Sequence, residues 1–304
     1  MSDIHKTSIV SKKATIGKNT IIGPYSIIEE NVIIGDNNVI HPYVHIKSGT
    51  TIGDNNKIFQ GTVLGEEPQD LKYKDEKTTL VIGDNNTIRE NCTLNRGTDY
   101  SNQTIIKNNC LLMAYVHIAH DCIVNDKVIL ANGVQLGGHS DIGYHATVGG
   151  MTPVHQFCKV GEHAFIGGGR VVLQDVPPYI LATGEPLQYA GINSVGLRRR
   201  SFNQKTRNNI KKAYKLIFKS NLNTKNAVEM IIDKMEMTDE IQEIVNILVN
   251  SKLMTREITT DEEFLEQCKS PVQFADISDL QDDMSDLSNI SDDTLMNDYL
   301  ISDD

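Results

Sequence analysis

Tryptophan is absent from this 304-residue chain, and all aromatic residues together amount to 6%. That scarcity excludes a core of interlocked rings and leaves its filling to aliphatic side chains. No apolar run reaches the roughly 18 residues that cross a bilayer, and no basic-then-apolar leader opens the sequence. A cytoplasmic protein without stable membrane insertion is therefore expected. The five cysteines are odd in number, and Cys92, Cys110, Cys122 and Cys158 are spaced by multiples of six. They read as small buried thiols rather than disulfide partners. The net charge of −11 is unevenly placed. From Ile258 onward, fourteen acids face Lys269 alone, a balance of −13 that leaves residues 1–257 at +2. A nearly neutral body with no aromatic platform argues against a nucleic-acid partner.

The chain is rich in a six-residue beat. Aliphatics recur from Ile4 through Val10, Ile16, Ile22 and on to Leu64, then from Ile82 to Leu94, and again from Ile106 to Val172. Small or modest side chains stand two places before each beat. A period of six is neither helical nor that of a simple strand; it marks a parallel β-helix with three flat faces and about 18 residues per turn. The beats give roughly eight turns, each rising about 4.8 Å. Gly-Asp-Asn-Asn, at 35–38, 53–56 and 83–86, marks tight corners. The beat lapses over 65–81, a polar insert expected to project as a loop, and again near Thr98–Gln103. After Pro177-Pro178 it is lost. From Phe202 the period becomes helical, with Ile210, Ala213, Tyr214, Ile217 and Phe218 on one stripe. The expected organisation is a β-helix over 1–195, a helical domain over 196–257 capping the stack, and an acidic, disordered tail over 258–304. Flat-sided coils of this kind suit a closed homotrimer.

Histidines supply the chemistry. His117, His120, His139 and His155 fall within 39 residues, and a turn of about 18 brings His120 close to His139. Asp121 follows His120, and Gly137-Gly138 precedes His139. An imidazole oriented by a carboxylate can take a proton from an alcohol, and a glycine N–H can reach a developing oxyanion. No serine or cysteine occupies a nucleophile motif, which favours direct transfer. The rival is a zinc site of the gamma-class carbonic anhydrase type, but its His-x4-His spacing is missing here. A structural, ice-binding β-helix would carry regular threonine arrays, and the threonines are scattered. Arg198, Arg199 and Arg200, followed by Lys205, Arg207, Lys211, Lys212, Lys215 and Lys219, suit phosphate or an acidic partner.

QDLKY at 69–73, HIAHDC at 117–122, GGMTPVHQF at 149–157, QDVPPY at 174–179 and GLRRR at 196–200 together resemble the acyl-carrier-protein-dependent UDP-N-acetylglucosamine O-acyltransferase family, which opens lipid A biosynthesis. The likeness covers residues 4–257. It implies a left-handed parallel β-helix with a C-terminal helical domain. The implied reaction moves a 3-hydroxyacyl group from acyl carrier protein to the sugar 3-hydroxyl, without cofactor or metal. It also implies His120 as general base, Asp121 as its orienting carboxylate and the Gly138 backbone as oxyanion donor. Gln69, Asp70, Lys72, His117 and His139 match positions around the sugar and reacting centre. His155, Gln156, Asn193, Arg199 and Arg200 match positions holding the nucleotide and its phosphates. Gly168 matches the position that sets acyl length, with Phe165 nearby as a possible stop. Val195 and Asn95 depart from residues that relatives carry, and the tail has no counterpart. An N-acyltransferase acting on a 3-amino nucleotide sugar stays open as the nearest alternative.

Overall fold

The computed structural model describes residues 2–250; the acidic tail lies outside the described residues. The chain winds into a left-handed parallel β-helix whose three faces are sheets of eleven, eight and eight strands. Most strands are two residues long. The first face carries Ile22, Ile40 and Ile58, the second Ile28, Ile46 and Leu64, the third Ile34, Ile52 and Ile82. From Ile22 to Ile166 every beat residue is at most 2% exposed. Each such burial is worth roughly 1.5–3 kcal/mol before the entropy of ordering is subtracted. Ile4, in the first described turn, is 41% exposed.

The small positions turn polar where the corner demands it. Asn38, Asn56 and Asn86 are buried one above another, and each side-chain oxygen accepts a backbone N–H from the next rung at 2.8 Å. The third residue of most corners is left-handed, with φ between 55° and 65° at Asn19, Asn37, Asn55, Asp121, His139 and Phe157. Asparagine tolerates that region best, so its recurrence outside the active corner follows from the backbone. At Asp121, His139 and Phe157 other residue types accept the cost.

The insert is narrower than 65–81. Val63–Glu66 and Thr79–Ile82 are strands, because Leu80 and Ile82 still point inward and Glu66 pairs with Asn95. Only 67–78 projects. Beyond Pro178 a hairpin that periodicity does not announce, Ile180–Thr183 against Gln188–Ile192, extends the first face. Four helices follow among the described residues: α1 (Ser194–Arg199), α2 (Gln204–Lys219), α3 (Thr224–Lys234) and α4 (Asp239–Asn250). Asn193, Asn203 and Asn223 cap the first three by accepting an N–H three residues on. The buried Tyr214 hydroxyl donates to the Pro178 carbonyl at 2.6 Å and ties α2 to the last coil.

Candidate active site

Both interruptions of the beat leave from the same edge, the second corner, where the second face turns into the third. On the rungs that follow, Leu94 pairs with Ile118, Ile118 with Leu136 and Leu136 with Val154. That register places His120 over Gly138, and Gly138 over Gln156. A Cβ at Gly138 would lie 2.6 Å from His120 Cε1, so glycine is required for the imidazole to rest there. The Gly138 N–H meets no acceptor among the described residues.

His120 Nδ1 stands 2.8 Å from Asp121 Oδ2. A carboxylate only accepts, so Nδ1 carries the proton and Nε2 keeps a free lone pair. Asp121, with its side chain fully buried, accepts four further hydrogen bonds. Thr98 gives its N–H at 3.1 Å and its hydroxyl at 2.7 Å, and Ser101 gives its N–H at 3.2 Å and a short hydroxyl bond. Burial alone pushes this carboxyl up; the hydrogen bonds from His120, Ser101 and Thr98 outweigh it and hold the group well below its ordinary range. Thr98 and Ser101 carry no sequence signal beyond sitting in the second break.

His139 stacks flat on Phe157 at 4.2 Å, while Tyr100 meets it edge-on at 4.5 Å. Burial lowers its basicity, against the pull of Asp121 and Asp70. His120, Asp121 and His139 bring their ligand atoms within 4.8 Å of one another, the residues here that could hold a metal. His117 lies on the outer surface of the second face, its Nδ1 2.7 Å from the Thr93 hydroxyl, and burial depresses it too. Asp70 and Lys72 sit on the projecting loop rooted at this corner, where Asp70 accepts the Lys72 N–H at 2.9 Å; Gln69 beside them is exposed. His155 and Gln156 are exposed on the following rung, and His155 has no ring contact with His120 or His139. The four described cysteines lie inside the coil with burial pushing their thiols up to about 11 or 12, which removes them as nucleophiles.

The remaining residues occupy other edges. Gly168 lies on the first corner, beside Gly149 and Gly167, where an added Cβ would come within 3.1 Å of the Gly150 carbonyl oxygen. Phe165 is on the outer surface of the adjoining first face, 37% exposed. Arg199, Arg200 and Asn193 cluster at the third corner. There Arg200 Nη1 donates to His163 Nδ1 at 3.0 Å, and His163 is 6% exposed. Asn193 commits its amide to the His163 carbonyl and the Gly196 N–H, so within this chain it supports α1. Val195 is 50% exposed, and Asn95 is buried with its amide on the Glu67 carbonyl.

A left-handed coil of six-residue repeats with a histidine–carboxylate pair seated on a glycine defines a hexapeptide-repeat acyltransferase. Bacterial transferase hexapeptide repeats match residues 13–48, 31–66 and 103–138, and the second domain of UDP-N-acetylglucosamine O-acyltransferase matches 175–259. The chain belongs to the acyl-[acyl-carrier-protein]–UDP-N-acetylglucosamine O-acyltransferase family. It is 48% identical over 253 residues to the member from Thiobacillus denitrificans, covering 83% of this chain and 98% of the relative. Identity to the member from Aliarcobacter butzleri is 46%, covering 83% and 97%. The crystal structure of a UDP-N-acetylglucosamine acyltransferase from Bacteroides fragilis superposes with a TM-score of 0.82 at 42% identity, covering 83% of this chain and 99% of that one.

Proposed function

We propose that this chain transfers a 3-hydroxyacyl group from acyl carrier protein to the 3-hydroxyl of UDP-N-acetylglucosamine, a step of lipid A biosynthesis in the cytoplasm. The observation that carries the reading is the His120–Asp121 pair over Gly138. His120 Nε2 takes the hydroxyl proton as the sugar oxygen attacks the thioester carbonyl. The N–H of Gly138 holds the oxyanion. Collapse of the tetrahedral intermediate breaks the C–S bond, and the imidazolium gives its proton to the departing carrier thiolate. Asp121 keeps the imidazole in the required tautomer and stabilises it when charged. No step calls for a cofactor.

The acyl donor fits α2. Lys212, Lys215 and Lys219 rim a groove of about 380 Å³ floored by Leu216 and Met235, suited to an acidic carrier protein. No helix among the described residues is long and apolar enough to cross a membrane. The separation of the three corners supports a homotrimer. The base, Gly168 and the arginines sit on three different edges of one prism, and a threefold ring sets an edge of one copy against a face of the next. Asp70 and Lys72 then close the sugar pocket, His117 and His139 line it, and Arg199 and Arg200 reach the nucleotide phosphates from a neighbour. Curated relatives carry O-acyltransferase in their names, which favours the hydroxyl over a 3-amino acceptor.

The test is acyl transfer from a panel of carrier-bound acyl chains to UDP-N-acetylglucosamine and to its 3-amino analogue. Transfer to the hydroxyl sugar at a higher kcat/KM is expected. Transfer confined to the amino sugar would overturn the acceptor assignment.

A further inference from the structure

One nitrogen at the active corner is unaccounted for. His139 Nδ1 is buried, finds no hydrogen-bond partner among the described residues, and lies 3.9 Å from Asp121 Oδ2. The parallel Phe157 ring and the edge-on Tyr100 fix the plane of the imidazole. Burying a polar atom without a partner is unfavourable. Asp121 Oδ2 is at the same time 2.8 Å from His120 Nδ1, so one carboxylate oxygen stands between two imidazole nitrogens.

We propose that His120, Asp121 and His139 bind one divalent cation of the zinc class, and that the bound ion and acyl transfer exclude one another. Two imidazole nitrogens and a carboxylate oxygen form a three-ligand set that suits zinc or cobalt, whereas magnesium and calcium prefer oxygen alone. Metal–nitrogen bonds of about 2.0–2.1 Å set tetrahedral ligands roughly 3.3 Å apart. The widest separation, at most 4.8 Å, has to close by about 1.5 Å, while the 2.8 Å His120–Asp121 pair opens slightly. Thr98 and Ser101 already hold the carboxylate from behind, as partners of a ligating group do. An ion on His120 Nδ1 moves the ring proton to Nε2. The imidazole can then no longer accept a proton from a sugar hydroxyl, and turnover stops.

This exclusion rests on His120 serving as base; the binding does not. The experiment titrates the purified full-length protein with cobalt(II), follows its visible absorption, and displaces it with zinc. One cobalt per chain is expected, weakened roughly a hundredfold or more in His139→Gln and in Asp121→Asn, and unchanged in His145→Gln. Acyl transfer should fall in step with zinc occupancy and return on chelation. Cobalt binding equally tight in both His139→Gln and Asp121→Asn would overturn the site. Occupancy of the triad with full turnover would overturn the exclusion, and His120 as base with it.

Discussion

Five donors converge on Asp121, an unusual density for one side chain, and four of them come from a loop of six residues. Each hydrogen bond to a charged group is worth about 1.5–3 kcal/mol. Replacing Thr98 by Val removes the hydroxyl that shares Oδ2 with His120. A fall in kcat of about ten- to a hundredfold, with the sugar KM unchanged, is expected, and Thr98→Ser should restore it. A Val variant with parental kcat would show that the clamp is idle. His120→Ala should lower turnover by about 10²–10⁴ without moving the Tm, since the ring packs on a glycine rather than in the core. Near-normal turnover in the folded variant would remove His120 as base.

The joint between coil and helices depends on a histidine that must stay neutral. Burial first, then the charges of Arg200, His145 and Lys127, push His163 down to about 3, and burial with Arg200 and Lys127 takes His145 to about 4. Unfolding lets His163 titrate near 6.5, so the unfolded chain binds the extra proton. The associated stability is whole above pH 6.5 and drains away as pH falls towards 3. For the buried His163 this is on the order of a few kcal/mol. The Tm of the parent should therefore drop more steeply than that of His163→Gln between pH 7 and pH 5; parallel slopes would contradict it. The first corner makes a separate prediction. Gly168→Met places a long side chain against the Gly149–Gly150 backbone, and the acyl preference should move towards shorter chains. Phe165→Ala should admit longer ones if that ring is the stop. An unaltered profile in both variants would place the acyl tail elsewhere.

No single prism can bring its own three corners together, which gives the proposed trimer a countable signature. A His120→Ala chain and an Arg199→Ala/Arg200→Ala chain are each expected to be inactive alone. In every mixed trimer, one junction joins an intact His120 to intact arginines of its neighbour, so about one third of the sites should work. The measurement is specific activity of purified mixed trimers carrying two distinct tags. Zero recovery would mean that base and arginines act within one chain.

The coil was determined by the sequence alone. Each rung obeys a local rule, one inward aliphatic every six residues, so the faces, both interruptions and the proximity of His120 to His139 could be counted along the chain. The Asp121–His120 pair was legible for the same reason, being adjacent in sequence. Tertiary structure decided the rest. Thr98 and Ser101 reach Asp121 across 23 and 20 residues because their loop folds back onto a corner, and aperiodic side-chain contacts of that sort leave no pattern to count. The hairpin at Ile180–Ile192 and the helix at Ser194 exist because the last coil needs a cover, a demand set by exposed rung edges rather than by local propensity. His139 alone shows both sides. Its place on the corner follows from the period, but its unpartnered nitrogen arises only when Phe157, Tyr100 and Asp121 close around it, a matter of distance in space and not of spacing along the chain.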